Sequence, residues 1–143
     1  MNKLLAAFAL LFFALPLRAE QAARFRDVEI HYNAMPTDEL LPDVAKSYKI
    51  ERSRNRGMLT LSVLKKTPLG VSQPVRARVK VVLPTLTGQS IDVPVREIVE
   101  GTAIYYIGEF RITPPQKLKF KVSAQPEGMS QPLNFEFEQA FYQ

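Results

Sequence analysis

The sequence predicts an all-β domain, an antiparallel sandwich of about seven strands with one short helix in a connection. Three observations carry this. Apolar residues recur at every second position in seven short runs, proline- and glycine-rich connections separate the runs, and one segment, DELLPDVAKSYK, has helical spacing instead. Alternation at period two marks strands with one buried face. Short strands punctuated by turn residues are the pattern of two packed antiparallel sheets.

The amino terminus sets the expected address. Met-Asn-Lys precedes an apolar run from Leu4 to Leu15, followed by Pro16-Leu17-Arg18-Ala19. A short positive region, about a dozen apolar residues and a small residue at the cut point make a secretory signal peptide. The run falls short of the roughly 20 apolar residues that span a bilayer. We therefore expect a signal peptide over residues 1–19, cleavage after Ala19, and a periplasmic domain over residues 20–143 with no membrane span after cleavage. With no cysteine near the cut there is no lipid attachment point. Removing Lys3 and Arg18 takes two charges from the formal +5, which leaves a mildly basic domain, too weakly charged to argue for nucleic acid.

The strands follow in order. Val28, Ile30 and Tyr32 alternate with Glu29, His31 and Asn33. Leu59, Leu61 and Val63 make the second run, and Val75, Ala77, Val79, Val81 and Leu83 the third. Ile91, Val93 and Val95 precede a run from Ala103 to Ile112; Leu118, Phe120 and Val122, then Leu133, Phe135 and Phe137, complete the set. The core is expected to include Leu59, Leu61, Val79, Val81, Phe110, Phe120, Phe135 and Phe137. In the helical segment Leu41, Val44, Ala45 and Tyr48 share a face, with Pro42 tolerable only in the first turn. This helix is expected to lie over an open end of the sandwich.

The stretch EGTAIYY, Glu100 to Tyr106, is nearly the one an antibody heavy chain places before the second cysteine of its variable domain, with Ile107 in the cysteine's place. Within the expected immunoglobulin-like sandwich it marks a central strand after a tight turn. In the antibody register Tyr105 and Ile107 face inward, which would also bury Glu109 and Arg111. The opposite register buries Ile104, Tyr106, Phe110 and Ile112 and leaves both charges in water. An unpaired buried charge costs several kcal/mol, so the second register is expected beyond Gly108, where a bulge could switch faces.

From Ala19 onward the chain resembles a family of small exported bacterial proteins, domain-of-unknown-function family 4426. The likeness runs through FRDVEIHYNAM, LLPDVAKSYKIERSRNRGMLTLSVLKK and REIVEGTAIYYIGEFRI. It implies a periplasmic, sandwich-like protein of a Gram-negative bacterium, and carries no catalytic residues across.

Zero cysteine and a single histidine exclude thiol catalysis, a cysteine-built zinc site and a histidine cluster. No serine lies in a nucleophile-elbow context and no glycine-rich phosphate loop follows a strand. We expect no catalytic residue, no metal and no cofactor; His31 reads as a solvated surface side chain. The alternative is a small carboxylate-based periplasmic hydrolase using acids such as Glu97 and Glu100. Two basic ladders stand out: Arg76, Arg78 and Lys80, and Lys117, Lys119 and Lys121. The second is expected to face acids in a terminal hairpin, Lys119 opposite Glu138 and Lys121 opposite Glu136. The best binding candidate is ERSRNRG, where Arg52, Arg54, Asn55 and Arg56 are packed ahead of Gly57. Arginine forks suit carboxylates and phosphates, and crowded cations favour an anionic partner. The expected function is a non-catalytic binding or scaffolding module for an unknown protein or an anionic envelope ligand.

Overall fold

In the computed structural model, residues 21–142 are described; the expected signal peptide and its cleavage site lie outside them. Ten strands form two antiparallel sheets: β1 (Ala22–Phe25), β2 (Val28–Pro36), β3 (Arg56–Lys66), β4 (Ser72–Pro74), β5 (Ala77–Pro84), β6 (Ser90–Val93), β7 (Val95–Glu100), β8 (Ala103–Arg111), β9 (Gln116–Pro126) and β10 (Leu133–Phe141). The larger sheet has the order β1-β2-β3-β8-β7, with β4 also paired to β3; the smaller has β10-β9-β5-β6. This is an immunoglobulin-like sandwich. Three strands beyond the seven runs account for the difference in number. β1 and β4 are three or four residues long and lack alternation. The fourth run is cut by Pro94, which has no N–H to give to a ladder, and its two halves join different sheets as β6 and β7.

The core lies between the sheets and is threaded by aromatic rings. Phe120 is fully buried, 4.8 Å from the Phe137 ring and 5.1 Å from Phe110. Tyr32 stacks on Phe137 at 4.3 Å, and Phe110 meets Phe141 at 5.8 Å. Edge-to-face and offset pairs in this range add to the area the rings bury. Of the expected core, Leu59, Leu61, Val81, Phe110, Phe120 and Phe137 are buried, while Val79 and Phe135 are half-buried and packed against it.

A second, smaller cluster covers the outer face of the larger sheet. Helix α1 (Pro42–Ser47) brings Val44, Ala45 and Tyr48 onto Met35, Met58 and Ile107, with Leu40 and Ile50 closing the sides. The helix thus lies on a sheet face, not on an open end. Pro42 stands in its first turn, and Leu41, at the cap position, is 69% exposed, so Leu40 takes the inward place expected of Leu41. Lys49 ends the helix with φ 56°. That left-handed residue turns the chain so that the Ile50 N–H donates to the Ala45 carbonyl at 2.8 Å and Ile50 returns to the cluster.

The helix also explains β8. Tyr106, Phe110 and Ile112 face the inter-sheet core, as the charge argument required, yet Ile107 is 1% exposed because α1 covers the other face. The register with β3 runs without interruption from Arg56↔Arg111 to Leu61↔Tyr106, so no bulge sits at Gly108. Instead a Cβ there would lie 2.8 Å from Val93 Cγ1 and 3.2 Å from the Pro94 carbonyl; the glycine lets the β6–β7 crossing pass over β8. Gly57 serves similarly. It lies inside β3 and is not a turn residue, and a Cβ there would fall 2.3 Å from Cε2 of Phe110.

The terminal hairpin has the expected register, Lys119↔Glu138 and Lys121↔Glu136. Its two shorter ion pairs run diagonally, Lys117–Glu138 at 2.8 Å and Lys119–Glu136 at 3.0 Å, while the directly opposed Lys121–Glu136 contact is longer, 3.7 Å. Hydrogen bonds from Lys119 and Lys117 hold the Glu136 and Glu138 carboxyls below their ordinary range.

Two tests follow from this packing. Gly57→Ala should cost about 1–3 kcal/mol by urea denaturation, because Phe110 must leave its rotamer. A native-like midpoint would show that the ring has room to move. In the hairpin, a depressed folded-state carboxyl contributes stability above the unfolded pKa and loses it as pH falls. The double variant Glu136→Gln/Glu138→Gln should therefore lose less thermal stability than the wild type as pH drops through and below about 4.5. Parallel melting profiles for the two proteins would remove the ion pairs from the stability of the hairpin.

Candidate functional site

The segment from Glu51 to Asn55 joins α1 to β3 and is clamped from both sides. On one side the Thr37 hydroxyl, fully buried in a short 3-10 turn, donates to the Ser53 carbonyl at 3.2 Å and accepts from the Ser53 N–H at 2.9 Å. On the other, the Ile112 N–H donates to the Asn55 carbonyl at 2.9 Å. Within the turn, the Asn55 N–H donates to Ser53 Oγ at 3.1 Å and the Arg56 N–H to the Ser53 carbonyl at 3.4 Å. Paired backbone at each end holds the tip in one shape while the side chains stay outside.

The four candidate residues divide by role. Arg52 donates to the Asp38 carbonyl at 2.9 Å and so ties the loop to the turn before α1. Arg56 heads β3 and reaches Glu109 at 3.2 Å; its Nε is buried with no hydrogen-bond partner among the described residues. Asn55 is exposed, with its backbone in the clamp. Arg54 is exposed, and among the described residues it makes no hydrogen bond or ion pair. Arg111 joins the group. It lies directly opposite Arg56 in the ladder and is exposed. Like charges across a sheet repel by tenths of a kcal/mol, and Glu109, two residues before Arg111 on the same strand face, pairs among the described residues only with Arg56. Sequence patterns did not bring Arg111, Glu109 or Thr37 into the site, because strand pairing and a fully buried threonine leave no local signal.

Other singled-out residues lie elsewhere. His31 is not fully solvated: its side chain is 16% exposed and its Nε2 sits 3.2 Å from Glu29, which also holds Arg24 at 3.3 Å. Among the described residues no three His, Cys, Asp or Glu side chains converge as a metal site. Glu97 and Glu100 occupy opposite faces of β7, as residues three apart in a strand must. Glu97 accepts from the Tyr106 hydroxyl at 3.2 Å and pairs with Arg76 at 3.5 Å. Glu100 accepts from the Tyr48 hydroxyl beneath α1. Burial and this carboxylate push the Tyr48 hydroxyl above the ordinary tyrosine range, and burial raises Tyr105 beside it. Tyr106, not Tyr105, ties the structure together at a distance: its hydroxyl accepts from the Ala77 N–H of β5 at 2.7 Å, joining the two sheets. Arg76 therefore turns to Glu97 and leaves Arg78 and Lys80 as the remainder of the first ladder.

The sequence model of the family described as "Domain of unknown function (DUF4426)" matches residues 22–143. The chain belongs to this family. The crystal structure of a DUF4426 family protein from Pseudomonas aeruginosa is 28% identical and covers 88% of this chain and 97% of its own, with a TM-score of 0.72. FetP of uropathogenic Escherichia coli strain F11, expressed in the periplasm, is 10% identical over 87% of this chain and 94% of its own, with a TM-score of 0.59. A copper-bound variant of FetP gives 10% identity, coverage of 86% and 95%, and a TM-score of 0.57. At that identity the FetP likeness shows the fold alone. No curated protein sequence matches the chain. No helix among the described residues is long and apolar enough to cross a membrane.

The clamp can be tested directly. Thr37→Val keeps the shape of the side chain but removes the acceptor of the Ser53 N–H and one of the two donors to the Ser53 carbonyl, so it should cost about 1–3 kcal/mol. Amide exchange at Ser53 and Asn55 should accelerate by more than the global loss of stability accounts for. Unchanged exchange at these two amides would show that the loop does not depend on the hydroxyl.

Proposed function

We propose that this DUF4426 domain is a non-catalytic periplasmic binding or scaffolding module that takes a carboxylate- or phosphate-bearing partner at the Arg54 end of the sandwich. The observation that carries the reading is the contrast within the loop. Its backbone is fixed by Thr37 and Ile112, two arginines are used internally, and Arg54 and Arg111 are left exposed. A held backbone with exposed guanidinium forks is pre-organised for an anionic group, and little ordering entropy is lost on binding. The hydrolase alternative draws less support, because Glu97 and Glu100 face opposite sides of β7 and each ties structural elements together. An acid–base pair must instead reach the same reacting group. Export rests on the sequence of residues 1–19.

Two measurements test the reading. Amino-terminal sequencing of the exported protein should begin at Glu20; recovery of Leu4–Leu15 in a membrane fraction would refute export. The double variant Arg54→Glu/Arg111→Glu should melt within a few degrees of the wild type, since substitutions at exposed sites cost about 0.5 kcal/mol or less. It should nevertheless lose a partner that cross-linking through residue 54 retrieves from periplasmic extract. Retention of every wild-type cross-linked partner by this variant would remove the loop from the binding surface.

A further inference from the structure

The outer face of the smaller sheet carries a concavity of about 590 Å³ that spans all four strands and is unrelated to the arginine loop. Its lining follows from strand register. Asn134, Ser123 and Lys80 stand side by side across β10, β9 and β5. Two residues along, Glu136, Lys121, Val82 and Asp92 form the next row across β10, β9, β5 and β6. Neighbouring strands are about 4.8 Å apart and successive same-face residues about 7 Å apart. The first row is therefore a short line of donors: an amide, a hydroxyl and an ammonium. The second places a carboxylate at each end, with Lys121 between.

The charges on this face are unevenly used. Lys117 and Lys119 are held by Glu138 and Glu136, whereas Lys121 has only the 3.7 Å contact to a carboxylate that already serves Lys119. Lys80 and Arg78 are exposed and form no ion pair among the described residues. Asp92, on the edge strand, is likewise exposed. The donor row thus has spare positive charge for an anionic group, and the acids one row away have spare lone pairs for hydroxyl donors.

We infer that this trough binds an anionic saccharide, a hydroxylated ring carrying one carboxylate or phosphate. The anionic group meets Lys80, Ser123 and Asn134, and the ring hydroxyls donate to Asp92 and Glu136. The volume falls within the usual range for small-ligand sites, about 300–1,000 Å³. A strand of nucleic acid fits poorly, since Asp92 and Glu136 in the lining offset Lys80 and Lys121 and leave no net charge for a row of phosphates.

The test is a heteronuclear NMR titration of the ¹⁵N-labelled protein with D-glucuronate, glucose 6-phosphate, glucose and inorganic phosphate in turn. Saturable shifts at the amides of Lys80, Ser123 and Asn134 are expected with one or both anionic sugars, and which one saturates identifies the anionic group. Glucose and inorganic phosphate should each bind at least about tenfold more weakly, a difference of about 1.4 kcal/mol. Lys80→Gln and Asn134→Ala should weaken the sugar by a similar factor, Lys80→Arg should retain it, and Asp92→Asn should weaken the sugar without affecting phosphate. All three positions are at the surface, and a thermal melt of each variant confirms its fold. The inference is overturned by an absence of saturable shifts, by shifts that survive Lys80→Gln, or by phosphate binding as well as the sugar phosphate. None of these outcomes bears on the arginine loop, which lies outside the trough.

Discussion

Strands β3 and β8 are buried on both faces, and much of the molecule is arranged to satisfy that constraint. One face meets the four-stranded sheet and its aromatic rings; the other would leave Met58 and Ile107 in water if α1 did not cover them. A six-residue helix has too few internal hydrogen bonds to persist alone, so it holds its shape only because it buries Val44, Ala45 and Tyr48 on the sheet. The dependence runs both ways. Covering the sheet requires the chain to leave β2, cross the outer face and return to β3, and the return path is the loop that carries Arg52 to Arg56. The position of the candidate site is therefore a by-product of protecting a doubly buried pair of strands.

The balance of forces differs between the two halves of the sandwich. The core between the sheets is held by non-directional apolar burial, reinforced by rings in contact. Its polar exception, Tyr106, is satisfied on both sides by the Ala77 N–H and Glu97. The outer cluster instead relies on directional ties. Glu100 accepts from Tyr48, Arg96 donates to the Tyr48 carbonyl, and Thr37 closes on Ser53. Directional contacts fix geometry where little area is available, which is what a loop presenting side chains to a partner requires.

Much of the fold was legible in the sequence because strands that bury one face advertise themselves by alternation. Phe120 and Phe137 could be placed without structural knowledge, and opposed charges set the register of the last hairpin. The misread places share one cause: a second layer that alternation cannot report. Ile107 looked like a residue of the wrong face until a helix was known to lie over it. Gly57 follows the arginine cluster in sequence, but what requires it is the ring of Phe110, its partner in the neighbouring strand. The arginines were visible as a composition, but the division of labour among them was not. Arg56 is engaged by Glu109 and opposed by Arg111, 53 and 55 positions away in the chain. Long-range pairing of that kind has no local signature.

The crossing of the chain from one sheet to the other at Pro94 has a consequence for how the family can diverge. The segment passes so close over Gly108 that even one methyl group would collide with Val93 and the Pro94 carbonyl. A side chain at that position requires the Val93 methyl to move and the Pro94 carbonyl to give by a few tenths of an ångström. The crossing must shift to admit one, and it is one of the places where the chain passes from one sheet to the other. A change at position 108 is thus tied to a change in the crossing that lies over it.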